Sequence, residues 1–283
     1  MTIIDFSGGY KMKKILALLL AMFIVATLVA CSNKDNTEDN ALESLELNDN
    51  SYTNNNIGTF TYDVSADGHY EITGYVVNTS VEHEVIIPET IQDVTVTSIA
   101  SDAFKSCTSI TSITIPKTVK YIGDFAFYDC DKLTKVTLPE SVIELGVGAF
   151  RNCDLLNDVV IPDSVTEIAD QLFWECSSLS SITFGNAVTV IGEGAFYNCD
   201  ALTSIVIPET VQEVKASAFY GCDGLVSITV PKTVATVGAA AFANIAAEKV
   251  TFNVKSDSYF ETYFAENYGV NDKEYAHYEI SVN

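Results

Sequence analysis

Apolar positions along this chain recur on a beat of 23 residues, and Phe104, Phe127, Phe150, Phe173, Phe196, Phe219 and Phe242 mark it without a miss. Three positions after each of the first six comes a cysteine: Cys107, Cys130, Cys153, Cys176, Cys199 and Cys222. Three further on stands an aliphatic residue, from Ile110 in the first unit to Leu225 in the sixth. Two more apolar residues follow, as Ile113 and Ile115 do after Ile110, and the run closes on proline in every unit but one, where Gly185 stands instead. The alternation predicts a short strand whose second and third apolar side chains turn inward. Proline cannot donate to a further rung, so it ends that strand. A valine and a second aliphatic position, the latter running from Ile122 to Val237 and usually followed by glycine, complete the unit. It reads A-F-x-x-C-x-x-L-x-x-I-x-I-P-x-S/T-V-x-x-I-G-x-x.

A fixed period with L-x-x-L-x-L at its centre predicts stacked coils, each burying its apolar face against its neighbours. The unit resembles the BspA-like leucine-rich repeats of bacterial surface proteins, a 23-residue class marked by A-F-x-x-C-x-x-L and I-P-x-S/T-V. Six units match, and a seventh begins at Phe242 and then departs. The resemblance covers about half the chain. It implies an α/β-type repeat solenoid of mostly β and irregular coils with parallel strands, together with a surface-exposed binding role. It brings no catalytic residues with it.

Either end of such an array needs a cover. Phe60 to Val77 alternates about Asp67-Gly68, a strong hairpin signal. Residues 59–103 are therefore expected to form an N-terminal cap and an irregular first coil, and residues 104–252 the repeat array. After Phe242, Ile245 stands in the cysteine column, and Val250-Thr251-Phe252 reads as arriving one residue early. Residues 253–283 are expected to close the stack, with a short helix capped by Asp257 and ended by Gly269, then a strand within Tyr275 to Val282.

The front end has a different pattern. Residues 12–31 read M-K-K-I-L-A-L-L-L-A-M-F-I-V-A-T-L-V-A-C. A positive start, an apolar run and small residues before a cysteine describe an export signal. Leu28-Val29-Ala30-Cys31 resembles a bacterial lipobox, which implies cleavage after residue 30 and a lipid-bearing Cys31; an ordinary transmembrane anchor is the alternative. Residues 1–31 are thus expected to be a lipoprotein signal peptide, with residues 1–11 an extension ahead of a start at Met12. Residues 32–58, rich in Asn, Asp, Glu, Ser and Thr, lack periodicity and are expected to be a disordered acidic tether.

Charge narrows the partners. The 283 residues carry a formal net charge of -23. That argues against nucleic acid, whose recognition needs basic patches, and favours a protein with a basic face. Enzymatic activity is not expected. The histidines, His69, His83 and His277, lie outside the regular array, and neither G-x-S-x-G nor a phosphate-cradling loop is present.

Three columns hold the remaining candidate chemistry. The cysteines could pair or bind a metal, but side chains in one column point the same way, with beta carbons wider apart than a disulfide wants, so a ladder of buried thiols is expected. Beside them run acidic residues, Asp129, Asp131, Asp154, Asp200 and Asp223. These are candidates for calcium, and turn-favouring residues at a solvated corner explain them equally. The residue after each phenylalanine gives Lys105, Tyr128, Arg151, Trp174, Tyr197 and Tyr220. Aromatic residues and arginine anchor binding surfaces, so Tyr128, Arg151, Trp174, Tyr197 and Tyr220 are candidate binding residues. They serve equally as an outer cover for the coils. The outward strand positions, such as Ser112 and Thr114 or Ser204 and Val206, offer area and few anchors. No cofactor is expected. The reading is a membrane-tethered, lipid-anchored protein-binding module, an adhesin for host or matrix proteins; a carbohydrate-capture protein and a structural envelope scaffold are the rivals.

Overall fold

The computed structural model describes residues 51–54, 58–77, 81–267 and 277–283; the signal segment, most of the tether and Gly269 lie outside them. The chain coils into a parallel-strand solenoid. Each coil contributes a strand of the I-x-I segment to one wall: β4 (His83–Ile86), β7 (Ile110–Thr114), β9 (Lys135–Thr137), β11 (Asp158–Val160), β13 (Ser181–Thr183), β15 (Ser204–Val206), β17 (Ser227–Val230) and β19 (Val250–Val254). Register between coils is the repeat itself, as in Val159 opposite Ile182 and Ile205 opposite Ile228. Val136, Val159, Ile205 and Ile228 turn into the core, while Lys135, Thr137, Asp158 and Val160 face outward.

A second wall is built from two-residue strands at the second aliphatic position: β8 (Tyr121–Ile122), β10 (Glu144–Leu145), β12 (Glu167–Ile168), β14 (Val190–Ile191), β16 (Glu213–Val214) and β18 (Thr236–Val237). The glycine after it lets successive coils approach closely. A beta carbon on Gly146 would lie 2.4 Å from the Asp124 amide nitrogen. The wall of I-x-I strands is interrupted between β13 and β15, in the coil where Phe184-Gly185 replaces the usual apolar residue and proline. Ile182 and Phe184 there are only partly buried, whereas the Ile182 position is buried in the other regular coils.

The phenylalanines form the axis of the core. Their rings stack from Phe104 to Phe242 with centroids 5.0 to 5.8 Å apart, the closest step being Phe104 to Phe127 and the widest Phe150 to Phe173. Both ends of this stack are closed edge-on. Phe60 meets Phe104 at 70° and 6.3 Å, and Phe252 and Phe260 each meet Phe242 at 87°. An offset or edge-to-face contact satisfies the ring quadrupole, so the terminal rings are covered without another coil.

The caps supply those closing rings. At the front, β2 (Gly58–Val64) and β3 (Tyr70–Val77) form the expected antiparallel hairpin around Gly68, with β1 (Ser51–Asn54) beyond it. β3 then pairs in parallel with β6 (Val94–Ile99), itself folded back on β5 (Thr90–Ile91), so the cap continues the second wall. At the back, Phe252 sits opposite Ile228, 24 residues away. The strand therefore arrives one residue late, because the corner between Phe242 and Val250 holds an extra residue, and the reading from the apolar spacing alone is corrected. Helix α1 (Tyr259–Asn267) buries Phe260, Tyr263 and Phe264. Its cap is Ser258, whose hydroxyl accepts from the Glu261 amide at 3.1 Å; Asp257 lies one position earlier, its own amide donating to Glu261 Oε2 at 2.9 Å. Ser258 thus replaces the expected aspartate cap, and the Glu261 carboxylate reaches back past it to the residue before, a variant of the capping box. Strand β20 (Tyr278–Val282) finishes the stack in parallel with β19.

Candidate functional site

The third side of each coil, where the phenylalanine turns inward, positions the candidate residues. Here the backbone takes a left-handed residue two positions before and two after each phenylalanine; around Phe173 these are Gln171 (φ 58) and Glu175 (φ 59). Aspartate and asparagine tolerate that conformation best among side-chain-bearing residues, and glycine is freest. Asp129, Asn152, Asn198 and Gly221 hold the equivalent later position in other coils. The alternation aims amides and carbonyls along the stack, so the corners bond coil to coil: Phe127 N to Ala149 O at 2.8 Å, Asn152 N to Trp174 O at 2.8 Å, Glu175 N to Tyr197 O at 2.7 Å. It also turns the residue just after each phenylalanine outward.

Those outward residues form one contiguous ladder. Trp174 stacks on Tyr197 at 3.9 Å and 5°, and Tyr197 on Tyr220 at 4.9 Å and 12°. On the other side the Arg151 guanidinium lies 5.0 Å from the Trp174 ring and 5.8 Å from Tyr128, and Lys105 lies 5.4 Å from Tyr128. Arg151 Nη1 donates to Gln171 Oε1 at 2.7 Å, which fixes the fork over both rings. Every member is half-buried. Both faces of Trp174 and of Tyr197 are covered by neighbours in the ladder, so the ladder presents ring edges and hydroxyls outward. The Trp174 Nε1 and Arg151 Nε atoms are buried and lack a hydrogen-bond partner among the described residues.

Directly beside the ladder the acidic columns open into a trough of about 340 Å³, lined by Asp129, Asp131, Asp154, Glu175 and Asp200 together with asparagine and serine. Partial burial, reinforced by neighbouring carboxylates, pushes the Asp131, Asp154 and Asp200 carboxyls above the usual range. Asn152 Nδ2 donates to Asp129 Oδ1 at 2.9 Å, while its Oδ1 is buried and has no partner among the described residues. Asp223 sits apart from the trough, with Oδ1 accepting from the Ala246 amide at 3.2 Å. The calcium candidates thus line a row of coils, and among the described residues no three metal-ligating side chains converge on one point.

The cysteine column lies inside the same corner. Cys130, Cys153, Cys176, Cys199 and Cys222 carry free, fully buried thiols, whereas Cys107, buried in register with them, is disulfide-bonded, so the expected ladder of six thiols is corrected to five. Each of the five donates its S–H to the phenylalanine carbonyl of the preceding coil, from Cys130 to Phe104 O at 3.1 Å through Cys222 to Phe196 O at 2.9 Å. Burial pushes the Cys176 thiol up to about 12 and raises Cys153, Cys199 and Cys222 as well. These are structural groups held protonated. The histidines serve the caps: His83 Nε2 bonds Tyr75 OH at 3.2 Å, and His277 Nε2 bonds Ile245 O at 2.9 Å.

The repeat geometry has counterparts. A BspA type leucine rich repeat region matches in six copies over residues 82–202 and 189–275. The chain belongs to the BspA-type leucine-rich repeat family. A crystal structure of a T. pallidum leucine rich repeat protein shares 30% identity, with 69% of this chain and 89% of that one aligned at a TM-score of 0.61. A leucine-rich repeat protein from Bacteroides ovatus shares 29% identity over 71% of this chain and 61% of its own, at a TM-score of 0.52. No curated protein matches the chain. As a BspA-type repeat protein it is a protein-interaction module. The repeat columns account for every candidate residue above except Cys31, which lies outside the described residues.

Proposed function

We propose that this BspA-type protein is exported, anchored to the bacterial envelope by lipid on Cys31, and acts at the cell surface as an adhesin for host or matrix proteins. The observation that carries the binding part is the ladder Tyr128–Arg151–Trp174–Tyr197–Tyr220, five adjacent anchor-type residues held rigid across five coils. Rings already fixed by stacking lose little side-chain freedom on association, which favours recognition. The anchoring part rests on the lipobox pattern before Cys31 and the polar stretch after it. Carbohydrate capture is disfavoured, because a sugar ring packs on an aromatic face and the faces of Trp174 and Tyr197 are already occupied.

Arrays of matrix proteins and of glycans, probed with the full chain in detergent, test the reading. Binding to matrix proteins that drops at least tenfold in a Trp174→Ala/Tyr197→Ala variant is expected. Glycan binding alone would replace the reading with the carbohydrate one, and silence on both arrays would favour a structural scaffold. Cys31→Ala should abolish acyl labelling and release the chain from the membrane fraction.

A further inference from the structure

The two strand walls end differently at the back of the stack. Beyond β18, helix α1 covers the second wall, and Tyr263 Oη donates to Gly238 O at 3.2 Å. The first wall ends on β20, and among the described residues no strand pairs with its outer edge. Parallel pairing uses alternate residues. The Val250 amide donates to His277 O at 3.0 Å and the Asn283 amide to Val254 O at 2.9 Å, so the odd-numbered residues here face β19. The amides and carbonyls of Ile280 and Val282 therefore point away from the stack. No proline, glycine or lysine blunts this edge, and Val282 is 44% exposed beside a half-buried Ile280. Such an edge is a template for another strand.

We infer that a second copy of this chain supplies that strand, the two β20 edges pairing antiparallel about a two-fold axis at Ser281. In this register Ile280 lies opposite the partner's Val282, and Val282 opposite the partner's Ile280, in two hydrogen-bonded pairs that use all four outward amides. Both side chains fall on the face where Ile228, Phe252 and Ile280 align, so the core column gains a β-branched pair at its open end. Glu279 falls opposite the partner's Asn283, and each Glu279 is held by its own Lys249 at 2.8 Å. A basic peptide would meet only this one carboxylate on β20, already paired, whereas the apolar residues match their own copy. Most of the negative charge lies along stacks that leave the junction in opposite directions, beyond the screening length of about 8 Å at physiological salt. The contact is smaller than the ~1,600 Å² of a standard interface, which makes it reversible. Strand pairing runs along the stack axis, so both front caps end up outermost. With the lipid anchor proposed above, that arrangement joins two envelopes.

Full chain in density-matched detergent would be followed by sedimentation over a range of concentrations, and a reversible monomer-dimer equilibrium is expected. Val282→Pro removes an outward amide and leaves the β19 ladder intact. The apparent dissociation constant should rise at least tenfold in it, with an unchanged melting midpoint. Ser281→Cys supplies an independent readout. The two-fold sets its copies in a non-hydrogen-bonded pair, about 4.5 Å between alpha carbons and within disulfide range, whereas Glu279→Cys copies stand about 14 Å apart. Mild oxidation should link at least tenfold more of the Ser281→Cys chain, the native free thiols being buried. A chain that stays monomeric at every concentration would overturn the inference, as would a dimer that Val282→Pro leaves intact or equal linking at both positions. Vesicles carrying the anchored full chain should cluster and lose clustering with Val282→Pro; dimers without clustering would overturn the joining of envelopes. Matrix-protein binding, measured on the same preparations, does not involve β20, so failure of the pairing leaves the adhesin reading standing.

Discussion

Single side chains in this molecule are repeated decisions, and the cysteine is the clearest. A thiol is small enough to sit behind each phenylalanine and still donates weakly, so it occupies the second lone pair of a carbonyl that already accepts from the backbone in its own coil, as Phe104 O does from the Cys107 amide. Its ionisation in the folded state is suppressed by burial, with Cys176 reaching about 12. An unfolded thiol ionises near 8.5. The folded chain thus holds protons that the unfolded chain has released, and these groups contribute stability that is intact below about pH 8.5 and lost as pH climbs toward 12. Two outcomes are expected. Iodoacetamide at pH 8 leaves these five thiols unmodified until denaturant is added, and the alkaline loss of stability becomes shallower in Cys176→Ala. Rapid labelling of the native chain would contradict the buried position.

At the level of elements, the strands and the phenylalanine stack were legible because each is a pattern: alternation before proline, and one ring every 23 residues. The second wall was not, since two residues are too short to show a period. Nor were the corners. Their left-handed residues include Phe125, Gln171, Glu175 and Ala240, none of which announces that conformation, so coil-to-coil bonding overrides local preference there. The cap of α1 was misplaced by one residue because Asp257 and Ser258 are both good caps, and only the position of Glu261 decides between them. The candidate ladder was legible as a column, but the insertion of Arg151 between two rings and the occupied ring faces were not. The corners give a prediction of their own. Ala240 sits at φ 56 and is half-buried, so Ala240→Gly relieves a left-handed strain of roughly 1 kcal/mol. A raised thermal midpoint is expected, and a lowered one would mean that the alanine methyl makes packing worth more than the strain.

For the whole molecule, excess negative charge is concentrated where coils align like residues. Partial burial and mutual repulsion raise the Asp131, Asp154 and Asp200 carboxyls. A raised carboxyl binds its proton more tightly folded than unfolded, so stability increases as pH falls from neutrality into the window just above the ordinary aspartate range. The chain should melt at a higher temperature at pH 5 than at pH 7.5, with the gap narrowing in 0.5 M salt as repulsion is screened. A midpoint independent of pH across that interval would show that solvent already dissipates the repulsion.

The corner bonds between neighbouring coils carry one more consequence. Because the amide of one phenylalanine reaches the same carbonyl of the next turn each time, a gene duplication of one whole unit would restore every bond it interrupts, whereas loss of a few codons would leave two mismatched turns. Length is therefore the property this architecture can vary most freely, in steps of about 4.8 Å, so relatives of different reach can arise by slippage between copies without redesign of either end.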